Sequence, residues 1–559
     1  MTVNNETKHQ KFGAVFYWSV GILLVLIFIG AFAPKVMENY TAAIQSAITS
    51  TFGWYYLIIV TVFVCVCLFL IVSPYGKLKL GKSDEKPEYS YPTWFALLFS
   101  AGMGTGLLFW GTAEPISHFA IDSPTGQTGT DQAAMDALRY VYFHWGIHGW
   151  SIYVIIALCL AFFNFRRGGD GSISSTLSPI MKNTDGPLGK LIDIIGIIAT
   201  VAGIATTLGF GASQINGGIS YIWNIPNSFL IQLVIIIIIT VIFLISATTG
   251  IDKGIKLLSN VNMILALVLL LFFIVFGSTV YSLNLFTDTI GKYIQRLPEM
   301  SFRLTPNNEQ SREWINNWTI FYWAWWMAWS PYVGTFIARV SRGRTIREFT
   351  IGVLLVPTIV TFIWFAFLGG TAIDMQMTGI ADLASMTTEQ MLFGTLAEMP
   401  ISFITSVLSL ILIAIFFITS GDSATVVLGM QSVKGVLNPT NRNKLIWGVL
   451  LSAIATVLLY SGGLQALQNT MIIAAFPFSF VMILMTISLI KELQQVKREL
   501  ELSGATKDKL MSRRLQKQLI KQELKDEKRW IESKMEEEKK RLKKKKKEKM
   551  EELNNKKEE

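Results

Sequence analysis

Trp318-Thr-Ile-Phe-Tyr-Trp-Ala-Trp-Trp-Met-Ala-Trp-Ser-Pro331 carries five tryptophans, at 318, 323, 325, 326 and 329, within twelve residues. The stretch holds no charged residue, so it reads as a helix at membrane depth. Interfacial tryptophan belts place one or two rings at headgroup level. Here the rings run over three helical turns towards mid-membrane, and Pro331 then removes a helical hydrogen bond. A belt does not explain that depth; rings gathered around a ligand do.

The remainder of the chain agrees with a membrane setting. Of 559 residues, 51 % are hydrophobic and 16 % charged, against about 25 % charge in a soluble domain. Such a composition speaks against a water-soluble enzyme, disorder or collagen. The formal charge of +10 is unevenly placed: residues 491–559 hold 24 Lys+Arg and 16 Asp+Glu, the preceding 490 hold 25 and 23. The chain is an apolar body with a basic tail, and its net charge is no argument for nucleic acid. Cys65, Cys67 and Cys159 lie in apolar runs and make neither a disulfide framework nor a metal site. The first apolar run, Ala14 to Pro34, is too long for a signal-peptide core and reads as a retained span.

A crossing helix needs about 20 mostly apolar residues. Twelve stretches qualify: 14–34, 53–73, 93–112, 141–163, 191–209, 229–247, 258–280, 318–337, 351–370, 401–423, 445–460 and 471–490. With the N-terminus placed in the cytoplasm, inside segments hold 19 of the Lys and Arg before the tail and outside segments hold 6. That bias follows the positive-inside rule at nearly every loop and puts both termini inside. Residues 281–317 form a long outer segment, in which Asn284–Pro298 reads either as an amphipathic helix on the surface or as an ordinary loop.

The third span reads Phe99-Ser-Ala-Gly-Met-Gly-Thr-Gly-Leu107. Glycine at every second residue is poor helix material, at about 1 kcal/mol each relative to Ala. Either the segment unwinds and offers backbone to a ligand, or Gly102 and Gly106 form a small-residue packing face. The third and eighth spans, both read as broken, lie five spans apart, and an odd offset reverses direction. Spans three to seven and eight to twelve then form inverted repeats, and broken helices at matching positions point to a midplane substrate site.

The fourth span adds Trp145, Trp150 and Tyr153, which fall within an arc of roughly 140° on a helix, with Gly146 and Gly149 leaving room. A quaternary ammonium cannot donate hydrogen bonds, so aromatic faces are its main attractive partners, at about 2 kcal/mol or more when desolvated. His144 and His148 have the i, i+4 spacing of a metal pair but no third ligand near in sequence; hydrogen bonding inside the bundle is the expected role. Thr419 and Ser420 of the tenth span either bond back to their helix or join an all-oxygen shell for a monovalent cation. Asp422, near the inner end of that span, is a candidate partner for an arginine of the 339–347 cluster in a cytoplasmic gate.

These segments resemble the betaine/carnitine/choline transporter family over roughly residues 14–490. The strings that carry the likeness are Ala101-Gly-Met-Gly-Thr-Gly106, Gly111-Thr-Ala-Glu-Pro115, Trp318 to Pro331, Arg339-Val-Ser-Arg-Gly-Arg344 and Thr419-Ser-Gly-Asp422. The resemblance implies an all-α integral membrane protein with 12 transmembrane helices. A five-plus-five inverted-repeat, sodium symporter-like core would work by alternating access, often as a homotrimer in a bacterial plasma membrane. Its parts would be a cytoplasmic N-terminal tail (1–13), two extra helices (14–73), a first repeat (93–280), an extracellular connection (281–317), a second repeat (318–490) and a long basic cytoplasmic helix (491–559). The implied ammonium cage is Trp145, Trp150 and Tyr153 with Trp325, Trp326 and Trp329, and Phe336 and Phe109 match aromatics that line or gate the path. The substrate carboxylate would lie near the backbone of Ala101, Gly102, Met103 and Gly104. Sodium, the coupling ion and sole cofactor-like partner, would take carbonyls of Ser100, Met103 and Phe416 and hydroxyls of Thr419 and Ser420. A second sodium site would use Thr200 and Tyr332, but Ile204 stands where some members carry a second threonine.

Choline carriers of the family place an Asp in the glycine stretch, where this chain has Gly106; sodium-independent carnitine exchangers carry an arginine in the fifth span, which this chain lacks. Both departures favour sodium-driven uptake of a zwitterion such as glycine betaine, with choline, carnitine or other betaines as alternatives within the family and an ion channel or osmosensor as the alternative outside it. A channel would need a continuous polar pore, and none is visible in these spans. Leu515, Leu519, Leu524, Trp530, Ile531 and Met535 recur at roughly helical spacing in the tail, and Lys539–Lys549 holds nine Lys or Arg. The tail is either solvated or a regulatory helix that binds anionic lipid at about 1 kcal/mol per basic residue.

Overall fold

In hydrocarbon, backbone groups have no partner but one another, so uncharged runs of Leu, Ile, Val and Phe close into helices. A computed structural model describes residues 12–558 apart from 103, 250, 251, 435 and 437, and their side chains except at 99–102, 252–257, 500–514 and 552–558. Among the described residues the chain is helical, with no strand beyond an isolated bridge between Lys79 and Thr345. Helices α1 (Ala14–Phe32) and α2 (Pro34–Val72) come first, with Pro34 in the first turn of α2, where its missing N–H leaves no bond unmade. Then follow α3 (Tyr91–Gly102) and α4 (Thr105–Ile116), between which Gly104 is extended, and α5 (Asp131–Trp145) and α6 (Ile147–Ala161), parted at Gly146.

Next come α7 (Pro187–Trp223), α8 (Phe229–Thr249), α9 (Asp252–Phe276), α10 (Thr279–Phe302) and the short α11 (Glu309–Ile315). The amphipathic reading of Asn284–Pro298 lies within α10. A π-helical turn, Asn316–Ile320, leads into α12 (Phe321–Val340). The series ends with α13 (Ile346–Thr378), opened by a capping box between Thr345 and Glu348, then α14 (Met391–Ala397), α15 (Ser402–Ser432) and α16 (Asn441–Glu558). α16 is interrupted at Gly462 and Gly463; Gly463, at φ 61°, takes the left-handed conformation that only glycine adopts at little cost.

Among the described residues, nine helical stretches are long and apolar enough to cross a membrane. The third expected span is absent from these because it is split into α3 and α4, and the eighth because α12 is built of tryptophan rather than aliphatic residues. The eleventh and twelfth share Asn441–Glu499. The eighth span corrects one expectation: α12 runs unbroken through Pro331. Proline leaves the carbonyl four residues back without its N–H partner. That carbonyl belongs to Met327, and the Ser330 hydroxyl donates to it at 2.7 Å. The glycine-rich fifth span is likewise unbroken within α7.

α12 packs along α6, α7 and α3, α15 packs on α7 and α8, and α4 lies against α13 and α7. Nearly every side chain of α4, α5, α6 and α12 is buried. Residues Lys491–Glu559 form a separate unit, and its described side chains from 515 to 551 are all exposed.

Candidate substrate site

The break before α4 and the tryptophans of α12 meet around one small cavity of about 30 Å³. Its walls are Gly104, Gly106 and Leu107 from the break before α4 and from α4 itself, Trp145 and Tyr153 from α5 and α6, and Trp325, Trp326 and Trp329 from α12. No wall residue is charged. The rings hold one another: Trp145 stands edge to face with Trp325 at 5.8 Å and with Trp326 at 6.0 Å, and Tyr153 is tilted against Trp326 at 4.6 Å between centroids. Two indole N–H groups are tied to backbone, Trp326 to the His144 carbonyl at 3.0 Å and Trp329 to that of Gly203 at 2.8 Å. Gly106 and Gly149 are required by close approach: a Cβ at the first would run into the Trp325 ring, and at the second into the Trp326 ring.

The remaining expected cage and gate rings lie outside the wall. Trp150 is fully buried behind the cavity, 5.4 Å from Trp326. Phe109 stacks on Phe210 at 4.9 Å, and Phe210 in turn meets Trp325 at 5.7 Å. Phe336 is half-buried, nearly two turns along α12 from Trp329. Leu107 is a wall residue the sequence did not single out.

Ser100, Ala101, Gly102 and Met103, assigned to sodium and to the substrate carboxylate, fall outside the fully described residues. Of their partners, the Thr419 hydroxyl donates to Ile415 O at 2.9 Å within an unbroken α15, with Phe416 O at 3.2 Å. A hydroxyl that donates this way keeps its lone pairs, so back-bonding leaves it able to ligate a cation. Ser420 Oγ approaches Gly104. Thr200 donates to Gly196 O at 2.8 Å and to Gln431 at 3.3 Å, Ile204 is buried, and Tyr332 meets Trp329 edge to face.

Two pairings read from sequence take other partners. Among the described residues no arginine pairs with Asp422: Ser246 and Lys444 act on its carboxyl, while Arg342 pairs with Glu85 at 2.5 Å, Arg344 sits over Tyr91 and Trp94, and Arg347 binds the Ile71 carbonyl. An i, i+4 helical spacing does not carry across the break at Gly146, so His144 and His148 part company. His148 bonds Ser301 at 2.9 Å. His144 turns to Glu114, with Nδ1 at 2.7 Å from Oε1 and Nε2 at 3.0 Å from the Thr319 hydroxyl. The other Glu114 oxygen accepts from Trp145 Nε1 at 2.8 Å and from the Tyr322 hydroxyl. His118 completes the group, 3.4 Å from Glu114. Ligand atoms of Glu114, His118 and His144 lie within 4.8 Å of one another, a donor set that suits zinc, yet both carboxyl oxygens already accept hydrogen bonds.

Beyond the spans, Lys434 draws the 168–186 loop and α7 together. Its Nζ is 2.8 Å from Asp185, 3.7 Å from Asp193 and 3.9 Å from Asp170. Burial opposes charge on Lys434, but these carboxylates outweigh it and raise its pKa. Burial likewise opposes charge on Asp170, and the Ser172 hydroxyl and N–H with Lys434 hold its pKa below the ordinary carboxylate range.

A bundle of apolar helices around a ring-walled cavity is the architecture of a membrane carrier for a small solute. The chain belongs to the betaine/carnitine/choline transporter family: the pattern described as "BCCT, betaine/carnitine/choline family transporter" matches residues 14–498. It is 59 % identical over 493 residues to the glycine betaine transporter OpuD of Bacillus subtilis (strain 168), covering 88 % of this chain and 96 % of that one. It is 42 % identical to an ectoine/hydroxyectoine transporter of Virgibacillus pantothenticus, over 87 % and 97 % of the two chains. The same identity relates it to a probable glycine betaine transporter of Desulfitobacterium hafniense (strain Y51), over 88 % and 99 %.

Proposed function

We propose that this transporter imports glycine betaine by sodium-coupled symport and alternating access. The observation that carries the reading is the cavity itself: indole faces from α5 and α12 with Tyr153, no charged wall, and the broken helix of the first repeat on its other side. A trimethylammonium needs ring faces, and a cage of several indoles supplies them. The substrate carboxylate would be met by backbone at the α3–α4 break. The uncharged Gly106 and the relative named as a glycine betaine transporter support a zwitterion over choline.

The same reading takes twelve spans: the nine long apolar stretches, the split third, the tryptophan-built eighth, and a division of Asn441–Glu499 at Gly462. It retains the two N-terminal helices, the inverted repeats (93–280 and 318–490) and cytoplasmic termini in a bacterial plasma membrane. Sodium travels as co-substrate on Thr419, Ser420 and carbonyls of Ser100, Met103 and Phe416. A second ion at Thr200 and Tyr332 has less support, since Ile204 offers no oxygen. A homotrimer and a lipid-binding tail complete the proposal. Deleting 505–559 should then shift the osmotic threshold of uptake and leave betaine affinity alone; lost affinity at an unchanged threshold would contradict a regulatory tail.

The test of transport is uptake of labelled betaine by vesicles of the purified protein. Uptake should saturate, need an inward sodium gradient, and disappear in Trp326→Ala. Uptake indifferent to sodium would remove the coupling, and unchanged uptake by the variant would remove the cage.

A further inference from the structure

We propose that Glu114 is a positioning residue of the cage and supplies the negative charge by which it tells a quaternary ammonium from a neutral group of the same shape. The proposal rests on the cavity being the ammonium site. Glu114 is fully buried and does not line the cavity. It stands behind the wall, where one oxygen accepts from the cage ring Trp145 at 2.8 Å and from Tyr322, and the other faces His144 at 2.7 Å.

The Trp145 indole N–H can only donate, so the oxygen it meets is an acceptor; an ionised carboxylate accepts at both oxygens and takes the Tyr322 hydroxyl as a second donor. His144 then donates through Nδ1 and accepts the Thr319 hydroxyl at Nε2, a tautomer fixed by the network. One side chain of α4 thereby locks the end of α5, the start of α12 and the π-helical turn before it. Of these, α5 and α12 carry Trp145, Trp325, Trp326 and Trp329 of the cage. His118, fully buried with neither ring nitrogen hydrogen-bonded, keeps one of them 3.4 Å from the same carboxylate.

Two consequences follow for a ligand. Hydrogen bonds to an ionised acceptor are stronger than neutral ones, so the Trp145 plane is held firmly. A full negative charge at the indole N–H also enriches the ring face that looks into the cavity, and low local polarity lets that charge act through one ring's thickness. A cage of neutral rings thus acquires a sign without exposing a carboxylate that would pair with sodium or repel the substrate's own carboxylate.

The experiment compares two ligands of one shape: glycine betaine and 3,3-dimethylbutyrate, in which carbon replaces the charged nitrogen. Both are titrated against the full chain in nanodiscs, in sodium-containing buffer, by tryptophan fluorescence and by displacement of labelled betaine. The wild type should prefer betaine by about thirtyfold, the preference that a desolvated cation–π cage carries. Glu114→Gln should cut that ratio about tenfold and leave the isostere's affinity within about twofold, with Glu114→Asp restoring most of the ratio. Equal weakening of both ligands, or an unchanged ratio, would overturn the charge role. A wild type with no preference would instead overturn the cage reading beneath it. If Glu114→Gln does not fold, Tyr322→Phe decides: it removes a donor and leaves the charge, so the ratio should hold or rise, and a fall to the isostere's level would overturn the proposal.

Discussion

The α3–α4 segment and α12 both carry residues that disfavour helix, and they end differently. At Gly104 the backbone is extended and the helix parts; through Pro331 it continues. The difference lies in what the neighbouring side chains offer the backbone. Ser330 gives the Met327 carbonyl a replacement donor, and buried rings on every side of α12 hold its course. The glycines bring no side chain that could stand in for a lost bond, and Gly106 is pressed by the Trp325 ring. At these two places the helix breaker acts where no side chain mends it and is passed over where one does. The mended helix supplies the cage with rigid rings, while the unmended one supplies room and backbone.

Three substitutions sharpen that contrast. The largest effect is expected at Gly149, where a methyl group must displace the Trp326 ring. Gly149→Ala should weaken betaine binding by about tenfold or more, at about 1–3 kcal/mol for overpacking, as read by titration. Gly291→Ala, in α10 with nothing near its would-be Cβ, should leave binding unchanged and raise thermal stability slightly.

A smaller effect is expected at Ser330. Ser330→Ala should destabilise the protein by about 1–3 kcal/mol, since a buried carbonyl loses its partner. Adding Pro331→Ala restores the backbone N–H and should recover most of the loss. Melting temperatures of the single and double variants check this; no recovery would mean that the hydroxyl does not mend the helix.

The smallest effect concerns Lys434. Asp170 has a folded pKa below its unfolded one, so its share of stability is present above the ordinary carboxylate range and is lost as pH falls through the folded value. Lys434, with a raised folded pKa, contributes below its unfolded value, and that share is lost as pH rises through the folded one. Lys434→Ala should therefore lower stability by no more than about 1 kcal/mol at neutral pH, and by less at pH 3. Melting curves at the two pH values decide; equal losses would mean that the ion pairs contribute nothing.

The rings were legible in the sequence because aromatic residues at mid-membrane depth have few structural reasons to cluster. Trp145, Tyr153, Trp325, Trp326 and Trp329 are wall residues, while Trp150 is not, because the face drawn for one continuous helix does not hold across the break at Gly146. The break at Gly146 was not foreseen, since two glycines read equally well as packing space. Glu114 was quoted only within a string of the family likeness. Its partners stand 30, 31 and 208 residues away, beyond any periodicity. A carboxylate two residues past the expected third span was nevertheless a signal, because such groups are expensive in a bilayer and mark functional sites.

The most direct measurement is a structure with glycine betaine bound. The trimethylammonium should lie within about 6 Å of the ring centroids of Trp145, Trp325, Trp326 and Trp329, its carboxylate turned towards the α3–α4 break. A betaine bound elsewhere, or seated with its carboxylate among the rings, would contradict the assignment of the cage.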